Sequence, residues 1–166
     1  HHPHSLNDPR QIVSFILKAT NQSKNMCAYP VPGNEYRSAA GWTSGSDWHK
    51  VSDDIESTLE GKQLKLLLLG NSITQGFGGN RAAVTTKQGK AAMDAAIGRD
   101  VWEAAGISGD RTQHLLWRLK NGNYNRCSPE AAVITIGVNN ITAGDSPVDI
   151  TEGIIACAKE ARVQLP

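Results

Sequence analysis

The longest uninterrupted run of large aliphatic side chains in the chain is Leu66 to Leu69, with Leu64 just ahead of it and Gly70 closing it. Without sustained polar alternation it reads as a strand buried on both faces, as in a parallel sheet covered by helices. Two stretches repeat the pattern downstream: a short one, Val101 to Ala105, and a stronger one, Ala131 to Ile136. Helical spacing surrounds them. Trp48, Val51, Ile55 and Leu59 form one face, with Ser46 placed to cap it and Gly61 where a left-handed C-cap is needed. Gln88 to Ile97 closed by Gly98, and Thr112 to Lys120 closed by Asn121 and Gly122, predict two more helices. After the third strand, Ser146, Pro147 and Asp149 supply a cap, a first-turn proline and a third-position acid ahead of Ile150, Ile154, Ile155 and Ala158. Near the start, Asp8 and Pro9 predict a helix whose apolar face runs from Ile12 to Ala19. From Asn21 to Ser44, Tyr29, Pro30, Val31, Pro32, Gly33 and Asn34 break any periodicity, so this segment reads as a linker or wrapping arm.

Strand alternates with helix three times, which predicts an α/β fold with a parallel sheet, right-handed crossovers and a site at the carboxyl ends of the strands. Composition changes this picture little. With 166 residues, 39% hydrophobic, 20% charged and a net charge of +1, the chain has the make-up of one ordinary soluble globular domain. Its lysines and arginines are scattered, with no basic stripe interleaved with aromatics, so a nucleic-acid partner is not expected. The apolar runs are far short of the roughly 20 residues of a membrane span, and the start HHPHSLNDPR holds no apolar signal core. His1, His2 and His4 read as a tag or an unordered terminus. Cys27, Cys127 and Cys157 lie far apart without a CxxC, suggesting neither a zinc site nor a disulfide framework. No metal or organic cofactor is implied, and the compartment stays open.

Chemistry enters at the first strand end, in KLLLLGNSITQGFGG from Lys65 to Gly79, which admits three readings: a phosphate cradle, a nucleophile turn or an ordinary loop. A P-loop needs a glycine five residues after Gly70 and then Lys with Ser or Thr, but Gln75 stands there. Gly76, Phe77, Gly78 and Gly79 begin like a dinucleotide fingerprint, yet Arg81 occupies the position of its last glycine. Gly70, Asn71 and Ser72 fit the first half of a GxSxG elbow, with Thr74 in place of the second glycine. Alone, Ser72 is a strand-end turn serine. The other two strand ends change this, because GISGDRT (Gly106 to Thr112) follows the second strand and GVNN (Gly137 to Asn140) the third. Parallel strands bring their carboxyl ends to one rim, so a serine, a glycine-rich amide turn and an asparagine should converge. A serine ester hydrolase needs this set: a hydroxyl nucleophile and donors aimed at the oxygen that becomes negative.

In GNSIT, the glycine of GISGDRT, and GVNN, taken in order, the chain resembles the SGNH (GDSL-type) hydrolases. Gly109 to Gly122, GDRTQHLLWRLKNG, and the later SPEAAVITIGVNN resemble most the catalytic subunits of intracellular platelet-activating-factor acetylhydrolases and related bacterial acetyl esterases. The resemblance covers roughly Trp48 to Pro166. It implies a flavodoxin-like three-layer α/β/α sandwich of strand order 2-1-3-4-5, incomplete in this chain. It also implies Ser72 as nucleophile with its own amide as one oxyanion donor, the Gly109 amide as a second and the Asn139 side chain as a third. On this basis residues 1–45 form an N-terminal helix and arm, and residues 46–166 the N-terminal part of the hydrolase domain.

Two departures from the family pattern stand out. Asn71 replaces the usual aspartate before the serine, and the last block, an aspartate and a histidine three residues apart, is absent from this chain. Neither histidine nearby substitutes for it. His49, two residues after Asp47, reads as a first-turn helical residue, and His114 as one that packs or meets solvent. Asp100, Asp110 and Asp145 form no pattern that would orient a base, and Trp117 and Leu119 read as core. A third strand with no neighbour beyond it would leave a bare apolar edge. The expectation is therefore a complementing C-terminal segment or second chain of about 60 to 100 residues that carries the base. Three functions stay open: a serine esterase releasing acetyl or another short acyl group from a carbohydrate or lipid, a hydrolase-like binding module without turnover, and a hydrolase or transferase acting on other esters.

Overall fold

The computed structural model describes residues 24–165; the helix expected from Asp8 to Ala19 lies outside them. The elements are α1 (Asp47–Leu59), β1 (Gln63–Gly70), α2 (Ser72–Phe77), α3 (Lys90–Ile97), β2 (Trp102–Gly106), α4 (Thr112–Asn121), β3 (Ser128–Thr135), α5 (Val138–Thr142) and α6 (Pro147–Gln164). The fold is α/β, and its three strands are parallel in the order β2-β1-β3, the first three places of a 2-1-3-4-5 sheet. Gly70 stands level with Gly106 on one side and Thr135 on the other, so the three strands end on one rim.

One face of the sheet carries the core. Trp48, Ile55 and Leu59 of α1, Leu67 and Leu69 of β1, Leu115 and Leu119 of α4, and Cys157 of α6 form a single buried cluster. Each fully buried side chain of this size contributes about 1.5 to 3 kcal/mol. The other face is less complete than the apolar run suggests. Leu66 and Leu68 are only half-buried, and Val133, level with Leu68, is 47% exposed. α3 covers this face at the β2 end, where Trp102 Nε1 donates to Asp94 Oδ1 at 3.0 Å. Among the described residues nothing pairs with the outer edge of β3, and an open groove of about 520 Å3 lies between that strand and α6, lined by Ala132, Ile134, Ala158 and Leu165 among others.

Several helix ends follow from their local chemistry. Gly61 takes the left-handed conformation after α1, at φ 73°. Ser46 makes no capping bond at the start of α1, contrary to expectation. The Asp47 carboxylate closes that turn instead, accepting from the amides of Thr43 at 2.7 Å and Ser44 at 3.1 Å. Lys50 and those two amides hold its carboxyl down at about 2. At α6 the expected cap is present: Ser146 Oγ accepts from the Asp149 amide at 3.1 Å, with Pro147 in the first turn. Ser146→Ala is expected to lower stability by about 1 kcal/mol, read as a lower urea midpoint at unchanged slope.

The described part of the arm wraps the domain. Asn25 Nδ2 donates to Glu152 Oε2 of α6 at 2.7 Å, the Cys27 carbonyl accepts from Thr112 Oγ1 at 2.8 Å, and the Val31 amide donates to the Gln113 carbonyl at 3.2 Å. The chain then crosses to the rim at Arg37 before turning into α1. None of the described helices is long and apolar enough to cross a membrane.

Candidate active site

Ser72 is the first residue of α2, a short helix that the glycine-rich sequence does not announce. It forms because the Asn71 side chain accepts from the Ile73 amide at 3.1 Å, a cap of the kind asparagine favours. Asn71 itself is buried, and its Nδ2 has no partner among the described residues. Two glycines bring α2 against the sheet. A Cβ on Gly70 would overlap Thr74 Oγ1 of α2, and one on Gly106 would overlap the Asn71 carbonyl oxygen and the Gln75 amide. Ser72 is exposed and opens on a hollow of about 400 Å3 lined also by Ile73, Gly76, Phe77, Gln88 and Gly89.

Gly109 lies on the loop after β2 with φ +82°, a left-handed conformation that glycine adopts without strain. The loop is tied on all sides. The Ser108 amide donates to Gln75 Oε1 of α2 at 3.0 Å, and the Asp110 amide donates to the Ile107 carbonyl at 3.1 Å. Asn139 closes the third side: its Nδ2 donates to the Asp110 carbonyl at 2.8 Å. Ser72 at the start of α2, Gly109 on the loop after β2 and Asn139 in α5 thus sit on three neighbouring segments linked by direct hydrogen bonds. Among the described residues, the backbone amides of Ser72 and Gly109 donate to no acceptor, and the Ser72 hydroxyl takes part in no hydrogen bond. Asn140 anchors the Asn139 loop from beneath, accepting from the Thr112 amide at 2.9 Å and donating to Gln113 Oε1 at 3.0 Å.

Under the rim lies a buried ionic network that sequence reasoning did not foresee. The fully buried Asp110 carboxylate accepts from Trp48 Nε1 at 2.8 Å, Arg37 Nη1 at 2.8 Å and Arg118 Nε at 3.0 Å. Arg118 also donates to the Gly70 carbonyl at 3.1 Å, the Ala105 carbonyl at 3.1 Å and the Tyr124 hydroxyl. Burial opposes its charge, but Tyr124 and Asp110 outweigh that and raise its pKa. Arg81 plays a parallel part, reaching the Ala104 carbonyl at 3.2 Å and the Gly106 carbonyl while pairing with Asp54 at 3.2 Å. Two buried guanidiniums therefore hold the ends of β1 and β2, next to the turns that carry Ser72 and Gly109. One signal was available in the sequence: Arg118 falls between Leu115 and Leu119 on the apolar face of its helix.

The described histidines are engaged by partners other than Ser72. His49 Nε2 meets Asn34 Oδ1 at 2.5 Å, and its ring stands edge-on to Trp48 and Trp117. His114 is buried, accepts at Nδ1 from the Arg111 amide at 3.0 Å and lies 3.2 Å from Arg37 Nη2. Burial pushes its pKa down, against the pull of Asp110 and Glu35. Among the described residues no group of histidines, cysteines and acids is placed to hold a metal ion.

The sequence model of the GDSL-like lipase/acylhydrolase family matches residues 68–166, more than half of the chain and inclusive of all three strand-end loops. The chain belongs to that family. Its relatives include the platelet-activating factor acetylhydrolase IB subunit alpha1 of Bos taurus, 39% identical over 61 residues that make up 37% of this chain and 25% of the relative. The subunit beta homolog of Drosophila melanogaster is 35% identical over 60 residues, 36% of this chain and 26% of its own. The aligned stretch thus spans about a quarter of the length of these curated relatives. Among solved structures, AlinE4, an SGNH-hydrolase family esterase, aligns with 63% of this chain and 55% of its own at 24% identity and a TM-score of 0.47.

Proposed function

We propose that this chain is the nucleophile-bearing part of a serine ester hydrolase that releases acetyl or another short acyl group from a carbohydrate or lipid. Ser72 attacks the acyl carbonyl. The amides of Ser72 and Gly109 and the second hydrogen of Asn139 Nδ2 receive the oxyanion, and a histidine with its aspartate partner, supplied from outside this chain, transfers the protons. The observation that carries the reading is the pair of backbone amides, Ser72 and Gly109, with no acceptor among the described residues, on segments joined to each other and to Asn139 by hydrogen bonds. Donors held in place before the charge develops need no reorganisation during the reaction, the largest single contribution in many acyl transfers.

The exposed edge and outer face of β3 support a partner for this chain. A further C-terminal segment or a second chain would pair with that edge, fill the groove against α6 and bring the base to the rim. An ester panel assayed on the full-length protein tests the substrate assignment. Acetyl and other short acyl esters should be turned over fastest, and a preference for long acyl chains contradicts it. Asn139→Ala in the same protein is expected to lower kcat by about 100 to 1,000-fold with KM little changed, the usual cost of one oxyanion donor.

A second reading, a binding module without turnover, draws support from the described histidines, both held by other partners. It predicts retention of a sugar or anionic ligand by the full-length protein with no ester cleaved across the same panel.

A further inference from the structure

Arg37 lies in the arm, upstream of the family match that begins at residue 68, yet its guanidinium reaches the rim. Arg37 Nη1 donates to the Ser108 carbonyl at 2.7 Å and to Asp110 Oδ1 at 2.8 Å. Glu35 Oε1 holds the same guanidinium from the solvent side, 2.8 Å from Nη2, and the Arg37 side chain is only 8% exposed. Its stem lies over Gly109, where an added Cβ would stand 2.8 Å from Arg37 Cδ.

The Ser108 carbonyl belongs to the same planar peptide unit as the Gly109 N–H. In a trans peptide the two point in opposite directions, so fixing one fixes the other, and the structure holds no cis bond among the described residues. A cation on the carbonyl also polarises the unit and strengthens its N–H as a donor. We propose that Arg37 is a positioning residue that aims and polarises the Gly109 amide as an oxyanion donor, so that the arm is part of the hydrolytic machinery. The inference rests on the esterase reading for its effect on turnover, but the geometric tie can be read independently.

The test uses the full-length protein with three variants: Arg37→Ala, Arg37→Lys and Ser72→Ala. Arg37→Ala should lower kcat per folded molecule by about 10 to 100-fold, less than deletion of a donor, with KM within twofold. Arg37→Lys, which keeps a cation but loses the fork that reaches both acceptors, should recover part of the loss. The Gly109 amide proton resonance should shift upfield in Arg37→Ala, because the cation on the Ser108 carbonyl no longer polarises the unit, while the amide resonances of α6 stay in place. A folded Arg37→Ala with kcat within twofold of the parent and an unmoved Gly109 amide resonance overturns the proposal. Should Arg37→Ala not fold, Arg37→Lys decides: a lowered kcat at unchanged KM supports it, and a kcat equal to the parent's overturns it. Activity that survives in Ser72→Ala overturns the esterase reading instead, and the Gly109 amide resonance alone then settles the tie: an upfield shift in Arg37→Ala supports it and no change overturns it.

Discussion

Ser72→Ala in the full-length protein is expected to lower ester turnover by about 10^5 to 10^6-fold, since removing the nucleophile of a serine hydrolase costs nearly as much as removing its whole triad. Substrate binding should survive, because the hollow beside Ser72 is built from Ile73, Gly76, Phe77, Gln88 and Gly89 as well as the serine. Folding should survive too: the hydroxyl takes part in no hydrogen bond among the described residues, and the cap of α2 is supplied by Asn71. The measurement is a steady-state rate with a thermal unfolding curve beside it. A variant that melts with the parent and retains more than about a hundredth of its rate contradicts the assignment of Ser72.

The largest effect on stability is expected at Arg118. Its guanidinium is fully buried against Asp110 and holds the carbonyls of Gly70 and Ala105. Arg118→Met removes one partner of a buried pair and leaves the Asp110 charge with Arg37 and Trp48 alone. Such a break costs about 3 to 5 kcal/mol, a large share of the about 5 to 15 kcal/mol by which domains are stable. Adding Asp110→Asn removes the stranded charge, so the double variant should lose less than the sum of the single ones. Urea unfolding of the three variants checks both statements. A loss below about 1 kcal/mol for Arg118→Met would show that the network adds little to the rim.

Features set by local chemistry could be read from the sequence alone. The run at Leu66 to Leu69 marks a strand, Ser146 with Pro147 and Asp149 marks a helix start, and Gly61 marks a helix end, because each depends on neighbours a few residues away. The convergence of the three strand ends on one rim was also readable, since parallel strands of matched register end together. Covering of the sheet was not. Leu66 and Leu68 have the composition of a strand buried on both faces, but how far they are covered depends on what packs beyond β3. The support of the site was hidden for a different reason. Arg37 and Ser108 lie 71 positions apart, and an arginine in a loop gives no sign of which carbonyl it will reach. Arg118 could have been suspected from its place on an apolar helix face, and Asp110 as its partner only once the loop was folded.

Phosphonylation tests the central claim most directly. The full-length protein is treated with a serine-directed organophosphonate, digested, and the modified peptide identified by mass spectrometry. Stoichiometric label on Ser72, slowed in Asn139→Ala and absent in Ser72→Ala, is the predicted result. Label on another residue, or none on a folded protein that hydrolyses esters, contradicts it.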